Sequence, residues 1–234
     1  MSLRTQLLTP FLIALLLGVL PLTAASTGRV DDTPKEPVVE VPIHPNTTCP
    51  IMGKAISTRL FVDTDKGRFW VCCKACYEEI LAELDLAHQT AYPEVEKLEL
   101  KTCPVTGEPL PEKPHRIVVQ GFDVPLCCEP CAPKFLADSQ IHLALLANPK
   151  LVDLRNPRCP ITDEPVTANS YCTIDGVLVR LSSPRMVDDV KKDAAAALAA
   201  AKVSVEKHGA LPHPRCPIRE KEEKEAAEST GNGL

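Results

Sequence analysis

Apolar and polar residues alternate along three pairs of short segments, with the period of half-buried β-strands. A turn containing glycine separates the two members of each pair, and Asp175-Gly176 in the third pair is a strong signal for a two-residue hairpin turn. The sequence therefore predicts three β-hairpins. Their strands are expected over residues 58–62 and 69–71, 115–119 and 122–126, and 171–174 and 177–181.

Apolar residues at helical spacing follow each pair of predicted strands. In the first case they are Tyr77, Ile80, Leu81, Leu84 and Leu86. In the second case they extend from Phe135 to Leu146 and predict a broken helix. In the third, Pro184 suits a first helical turn, and an alanine-rich helix is expected over 186–206. Hairpins followed by helices indicate the α+β fold class.

A turn that begins with cysteine precedes each hairpin at a nearly constant distance. Cys49, Cys103 and Cys159 each begin a Cys-Pro turn, and these cysteines recur every 54 to 56 residues. Such regular spacing indicates tandem structural units. We predict two intact units at 48–98 and 99–152, a degenerate unit at 153–210, and a truncated turn with a disordered charged tail at 211–234.

Further thiols cluster where the first two of these helices are expected to begin. The first cluster is Cys72, Cys73 and Cys76, and the second is Cys127, Cys128 and Cys131. The equivalent positions of the third unit hold Ser182, Ser183 and Met186. A helix N-terminus offers unpaired N–H groups and the positive end of the helix dipole, which stabilise thiolate, the form that binds metal. The first two units are therefore predicted to bind metal, and the third to be a structural relic.

Each of the first two units offers one turn thiol and three cluster thiols. A turn (the knuckle), a β-hairpin and a helix with cysteines at both ends form the layout of a treble-clef zinc module, which ordinarily carries two turn cysteines. The residues that replace the second turn cysteine here are Met52 and Thr106. In the first unit Cys49, Cys72 and Cys76 form the expected ligand set. Cys73 becomes a fourth ligand if the backbone turns there, since neighbouring residues on a strand point to opposite faces. The matching candidates in the second unit are Cys103, Cys127, Cys128 and Cys131. Such thiolate sets suit Cu(I) or Zn(II).

The spacing Cys49-x22-Cys72-x3-Cys76 resembles the TRASH motif, and the wider pattern is similar to YHS domains. In the second unit the matching residues are Cys103, Cys127 and Cys131, with a long gap one residue wider. Only Cys159 matches in the third unit. The resemblance covers residues 48–193 and implies a small treble-clef-like module associated with heavy-metal sensing, trafficking or resistance. It names neither the metal nor a pathway.

The same thiols also fit two other classes of function. In an oxidising compartment they could form disulfides, and a turn-to-cluster pair such as Cys49 with Cys76 is geometrically plausible. The protein would then be a disulfide-stapled interaction module. A thiol–disulfide redox protein is the third interpretation, and the only enzymatic one. The chain holds no phosphate-binding glycine loop and no G-x-S-x-G motif, so we expect a binding protein and no enzyme.

The N-terminus has the features of a secretory signal peptide. Arg4 precedes an apolar run over 7–22, and small residues follow it. We predict a cleaved signal over 1–25, a flexible linker over 26–47 with a short extended piece, and a periplasmic or secreted protein. The alternative is a membrane anchor formed by an uncleaved signal.

Charge narrows the expected partners. The formal net charge is −5 and the chain contains no long basic run, which argues against nucleic acid and anionic membrane surfaces as partners. A metal ion is the expected partner, and a protein partner is not identified.

Two cysteines belong neither to the helix-start clusters nor to the turns of the three units. Cys216 begins a fourth Cys-Pro turn that no hairpin follows, so we interpret it as a relic or unpaired thiol. Cys172 is expected to be a buried free thiol in a strand, with pairing to Cys159 as the alternative.

Overall fold

Residues 37–40, 44–216, 218–221 and 223 are described by the computed structural model, which has a mixed α+β architecture with small sheets. The predicted signal peptide at 1–25 and most of the predicted linker at 26–47 lie outside these residues. No helix in the described part of the chain is long and apolar enough to cross a membrane.

Antiparallel hairpins form at the three places where the alternating pattern predicts them. The second and third match closely, whereas the first begins nearer to its turn than predicted, because residues 58 and 59 form a turn of their own. The strands of the three hairpins are β2 (Phe61–Thr64) with β3 (Gly67–Trp70), β5 (His115–Val119) with β6 (Phe122–Leu126), and β8 (Tyr171–Ile174) with β9 (Val177–Arg180).

The second and third hairpins close through two-residue turns with left-handed backbone. Gln120 and Gly121 have φ angles of 47° and 78°, and Asp175 and Gly176 have φ angles of 49° and 79°. Positive φ at both central residues matches the right-handed twist of the flanking strands. These turns therefore fix the register that brings each strand end back toward its cysteine turn.

Short strands join the hairpins into sheets. β4 (Glu96–Lys97) pairs in parallel with β6, and β7 (Val152–Asp153) pairs in parallel with β9. β1 (Val39–Glu40), within the segment predicted to be a linker, pairs with β8 as the short extended piece. The strand orders are β1-β8-β9-β7, β2-β3 and β4-β6-β5. Because β4 pairs with the hairpin that follows it, the hairpins are linked along the chain, and the unit boundaries stay a prediction.

Helical segments follow each hairpin. Those after the first are α1 (Cys76–Ala82) and α2 (Leu84–Ala91), and those after the second are α3 (Cys131–Ala137) and α4 (Ser139–Ala147). The break in the second pair confirms the predicted broken helix.

The single helix predicted over 186–206 is wrong at its start. A 3-10 turn (Pro184–Met186), α5 (Val187–Val190) and α6 (Ala194–His208) occupy that region. Asp193 causes the interruption, because its carboxylate accepts a hydrogen bond of 2.9 Å from the Ala196 N–H and caps α6.

Each hairpin packs its own apolar core against the helix that follows. Phe69 and Ile80 are fully buried in the first core, and Leu126 and Phe135 are fully buried in the second. The third core contains Ile174, Val179 and Leu181. Cysteines of the turn and of the helix start belong to the first two cores. The sulfur atoms are therefore held by packed structure.

Polar contacts connect neighbouring hairpins. Arg180 bonds to Asp138 and to Asp153, both at 2.8 Å, and so ties α4 and β7 to the third hairpin. The backbone N–H of Arg68 donates to the Gln120 side chain at 3.1 Å, which links the first hairpin to the second. Burial of several of these groups favours one fixed arrangement of the hairpins.

Candidate metal centre

The first candidate ligand, Cys49, is presented by a tight turn. Its N–H donates to the Lys54 carbonyl at 2.8 Å, and the Gly53 N–H donates to the Cys49 carbonyl at 2.8 Å. Gly53 has a φ of 63°, a left-handed conformation that glycine adopts without steric cost. The turn therefore holds the Cys49 side chain against the core, where the residue is 1% exposed.

Asn46 fastens this turn to the end of the first hairpin. Its side-chain amide donates to the carbonyls of Thr48 and Trp70 at 2.6 and 2.9 Å. Its carbonyl oxygen accepts the Trp70 N–H at 2.9 Å. Because the cluster follows two residues after Trp70, these bonds fix the turn cysteine beside the cluster cysteines.

The sulfurs of the first cluster surround that of Cys76, the first residue of α1. Cys49 and Cys73 place their sulfurs 3.6 Å from the Cys76 sulfur, and Cys72 places its sulfur at 3.9 Å. The backbone bends at Cys72 and Cys73, but Cys73 joins none of the groups whose ligand atoms all lie within 4.8 Å of one another. Cys49, Cys72 and Cys76 form a triad whose sulfurs lie within 4.8 Å of one another.

The second cluster is built in the same way. The Cys103 N–H donates to the Glu108 carbonyl at 2.7 Å, and the Gly107 N–H donates to the Cys103 carbonyl at 2.8 Å. The Cys131 sulfur at the start of α3 lies 3.5 Å from that of Cys127 and 3.3 Å from that of Cys128. Cys103, Cys127 and Cys131 form a triad within the same 4.8 Å limit.

The distances between sulfurs match metal coordination. All eleven cysteines lie in the described part of the chain, and each is a free thiol. Thiolates around a tetrahedral zinc ion with Zn–S bonds of about 2.3 Å stand about 3.8 Å apart. The observed contacts between cluster sulfurs run from 3.3 to 3.9 Å. Both triads are therefore close enough to hold a metal ion.

Each triad contains one cysteine whose pKa is lowered and one whose pKa is raised. Burial raises the pKa of Cys49, but backbone hydrogen bonds from Cys72 and the turn outweigh it and lower the pKa to about 7. Burial and its sulfur contacts raise the pKa of Cys76. Burial likewise raises the pKa of Cys131, while backbone bonds from Cys127 and the turn bring the pKa of Cys103 below its ordinary value. A cation would displace the remaining protons.

Cys216 forms no disulfide, as the unpaired-thiol interpretation expects, but it lies at the second cluster and not apart from it. Its sulfur lies 3.6 Å from the Cys128 sulfur, although 88 residues separate the two in sequence. Cys127, Cys128 and Cys216 form a third triad within 4.8 Å. Residues 218–221 and 223 are helical, whereas a disordered tail was expected from 220. The repeated Cys-Pro dipeptide marks Cys216 in the sequence but does not indicate its contact with Cys128.

The third hairpin keeps the turn without the cluster. The Cys159 N–H donates to the Glu164 carbonyl at 2.8 Å, as in the other turns. Ser182 bonds to the Thr162 hydroxyl at 3.0 Å. Cys159 enters none of the metal-competent groups among the described residues. Cys172 is buried, which raises its pKa to about 12.

A second signal at the helix starts is the spacing Cys73-x-x-Cys76 and Cys128-x-x-Cys131, which the sequence analysis did not single out. Such pairs place two sulfurs on adjacent positions of a helix start, where they serve either metal binding or dithiol chemistry. Both pairs are in contact, at 3.6 and 3.3 Å.

No protein-family model matches the chain, and comparisons with curated proteins and with solved structures also find no match. The resemblance to TRASH and YHS modules therefore stays a prediction that rests on the cysteine spacing.

Proposed function

We propose that this protein is exported and binds or buffers a soft or borderline transition metal, Cu(I) or Zn(II), outside the cytoplasm. It acts by holding the ion and catalyses no reaction. The proposed ligands are the triads of Cys49, Cys72 and Cys76 in the first cluster and of Cys103, Cys127 and Cys131 in the second, and Cys73 and Cys128 supply a further sulfur beside each triad.

The observation that carries this proposal is the convergence of thiols in two separate segments. In each segment a turn cysteine meets two cysteines of a helix start within 4.8 Å. More than twenty residues separate the turn from the cluster in sequence, so only the hairpin between them brings the sulfurs together. Soft thiolate sets favour Cu(I) and Zn(II) over hard cations such as Mg²⁺ and Ca²⁺.

The third hairpin supports a role for the thiols beyond holding the fold. It forms the same cysteine turn, hairpin and helical segment with Ser182, Ser183 and Met186 at the cluster positions. The chain therefore builds this local structure without three of the four thiols. Their presence in the first two segments is explained by a ligand.

Thiol–disulfide exchange is the second candidate, because the Cys73–Cys76 pair is asymmetric. Cys73 is partly exposed, and its contact with the Cys76 sulfur lowers its pKa. Cys76 is buried, and burial raises its pKa. An accessible cysteine of lowered pKa followed by a buried cysteine of raised pKa is the arrangement that dithiol exchange uses.

Cys73→Ser separates these two functions. The triad of Cys49, Cys72 and Cys76 survives the change, so anaerobic Zn(II) titration of reduced protein should give the wild-type number of bound ions. Native mass spectrometry would count them, with Cys159→Ser as the matched control, because Cys159 occupies the same turn outside the triads.

The opposite pattern would support exchange in place of metal binding. A wild-type chain that binds no ion but turns over a glutathione mixed disulfide, together with a Cys73→Ser chain that has lost this turnover, contradicts the proposed metal function.

A further inference from the structure

Five thiols meet at the second cluster, which is one more than its own turn and helix start supply. We propose, building on the metal-binding function above, that this cluster holds two Cu(I) ions bridged by the Cys127 thiolate. One ion is bound by Cys103, Cys127 and Cys131, and the other by Cys127, Cys128 and Cys216. Cys216 is thus a ligand supplied by the C-terminal segment.

The geometry of the five sulfurs points to two ions that share a ligand. Both triads satisfy the 4.8 Å limit, and Cys127 belongs to each of them. The Cys127 sulfur lies 3.8 Å from that of Cys128 and 3.5 Å from that of Cys131, and the Cys128 and Cys131 sulfurs lie 3.3 Å apart, so the two sets are in direct contact. A thiolate has more than one lone pair and can bind two ions at once. The first cluster forms a single triad among the described residues.

The C-terminal segment is seated on the second hairpin unit by several contacts. The Lys134 ammonium donates to the Arg215 carbonyl at 2.9 Å, and Arg219 pairs with Glu108 at 2.7 Å. Ahead of Cys216, the Leu211 N–H donates to the Arg155 carbonyl at 2.7 Å, which fixes the segment to the chain that follows β7. Cys216 itself is 5% exposed. These contacts hold its sulfur in place.

Cys216 lies at the start of a short helical segment. The Glu220 N–H donates to the Cys216 carbonyl at 3.0 Å, which is the i to i+4 bond of an α-helix. Residues 218–221 and 223 are helical, so no hairpin follows this cysteine as one follows the other turn cysteines. Cys216 thus reaches a cluster that is formed elsewhere in the chain.

The three-thiolate sets and their surroundings favour Cu(I). Structural zinc sites are almost always four-coordinate, whereas each set here offers three sulfurs. Soft thiolates select Cu(I) over hard cations. A cleft lined by Cys127, Cys128 and Cys216 opens beside residues 108–111 and gives an ion a path of entry.

Counting bound Cu(I) in single-cysteine variants tests this arrangement. Reduced protein is titrated anaerobically with Cu(I) against a competing chelator, and native mass spectrometry gives the number of ions per chain. Wild type should bind three ions, one for each triad. Cys216→Ser should bind two, and Cys127→Ser should bind one, because Cys127 belongs to both triads of the second cluster. Cys159→Ser, a turn cysteine outside the triads, should still bind three.

The ion of the first cluster serves as the internal control for folding in every variant. A wild-type chain that binds two ions, a Cys216→Ser chain that keeps three, or a Cys127→Ser chain that loses only one overturns the bridged pair and leaves the proposed metal function intact. A wild-type chain that binds no Cu(I) and no Zn(II) overturns both.

Discussion

Cys76→Ser is expected to abolish metal binding at the first cluster and to leave the second cluster loaded. The Cys76 sulfur is the centre of its cluster, with three other cysteine sulfurs at 3.6, 3.6 and 3.9 Å. Losing a residue that merely supports a ligand costs about 10- to 100-fold in metal affinity, so losing this central ligand should cost more. The serine hydroxyl is a hard donor and does not replace thiolate for a soft ion.

Competition titration with a chromophoric chelator measures this loss directly. Cys131→Ser is the mirrored variant, because Cys131 begins α3 as Cys76 begins α1. It should weaken the second cluster and spare the first. If either variant keeps the wild-type affinity at its own cluster, the assignment of ligands to that cluster is incorrect.

Metal removal is expected to lower the melting temperature by about 10 °C or more. An ion that binds only the folded chain stabilises it by about 4 kcal/mol for each site when its free concentration is 1,000 times the dissociation constant. For a chain of this size, about 1 kcal/mol shifts the melting temperature by about 2–4 °C. Aromatic residues make up only 4% of the chain, so its apolar cores are small. A bound metal ion therefore contributes a large share of the stability of the fold.

Differential scanning calorimetry of reduced protein, with and without a chelator, checks this expectation. Adding back Zn(II) or Cu(I) should restore the melting temperature, whereas Mg²⁺ should not, because it prefers oxygen ligands. Equal melting temperatures for the metal-loaded and chelated proteins would contradict the account.

Local patterns predict local structure well in this chain. The alternation and the Gly-containing turns locate the hairpins, because strand period and turn chemistry agree at those positions. The cysteine spacing likewise identifies Cys49 with Cys72 and Cys76, and Cys103 with Cys127 and Cys131. The hairpin between the turn and the helix start brings these residues together. Their contact can therefore be predicted from the sequence of that one segment.

Features that depend on single capping residues or distant contacts are harder to predict. Asp193 stops the expected long helix because its side chain satisfies an N–H group of α6, although alanine-rich sequence surrounds it. Cys216 reaches Cys128 across 88 residues, and no periodic pattern records this pairing. The two-residue strands β4 and β7 are too short to carry an alternating signal.

The most direct test of metal binding by the cysteine clusters uses protein recovered from the exported fraction of expressing cells. The quantities to measure are the oxidation state of its cysteines and the number of metal ions bound to it. Alkylation under denaturing conditions without reductant, followed by intact mass measurement, counts the free thiols, and native mass spectrometry of the same sample counts the bound ions. We expect eleven reduced cysteines per chain together with bound Cu(I) or Zn(II). Disulfides within the clusters and no bound metal would contradict it.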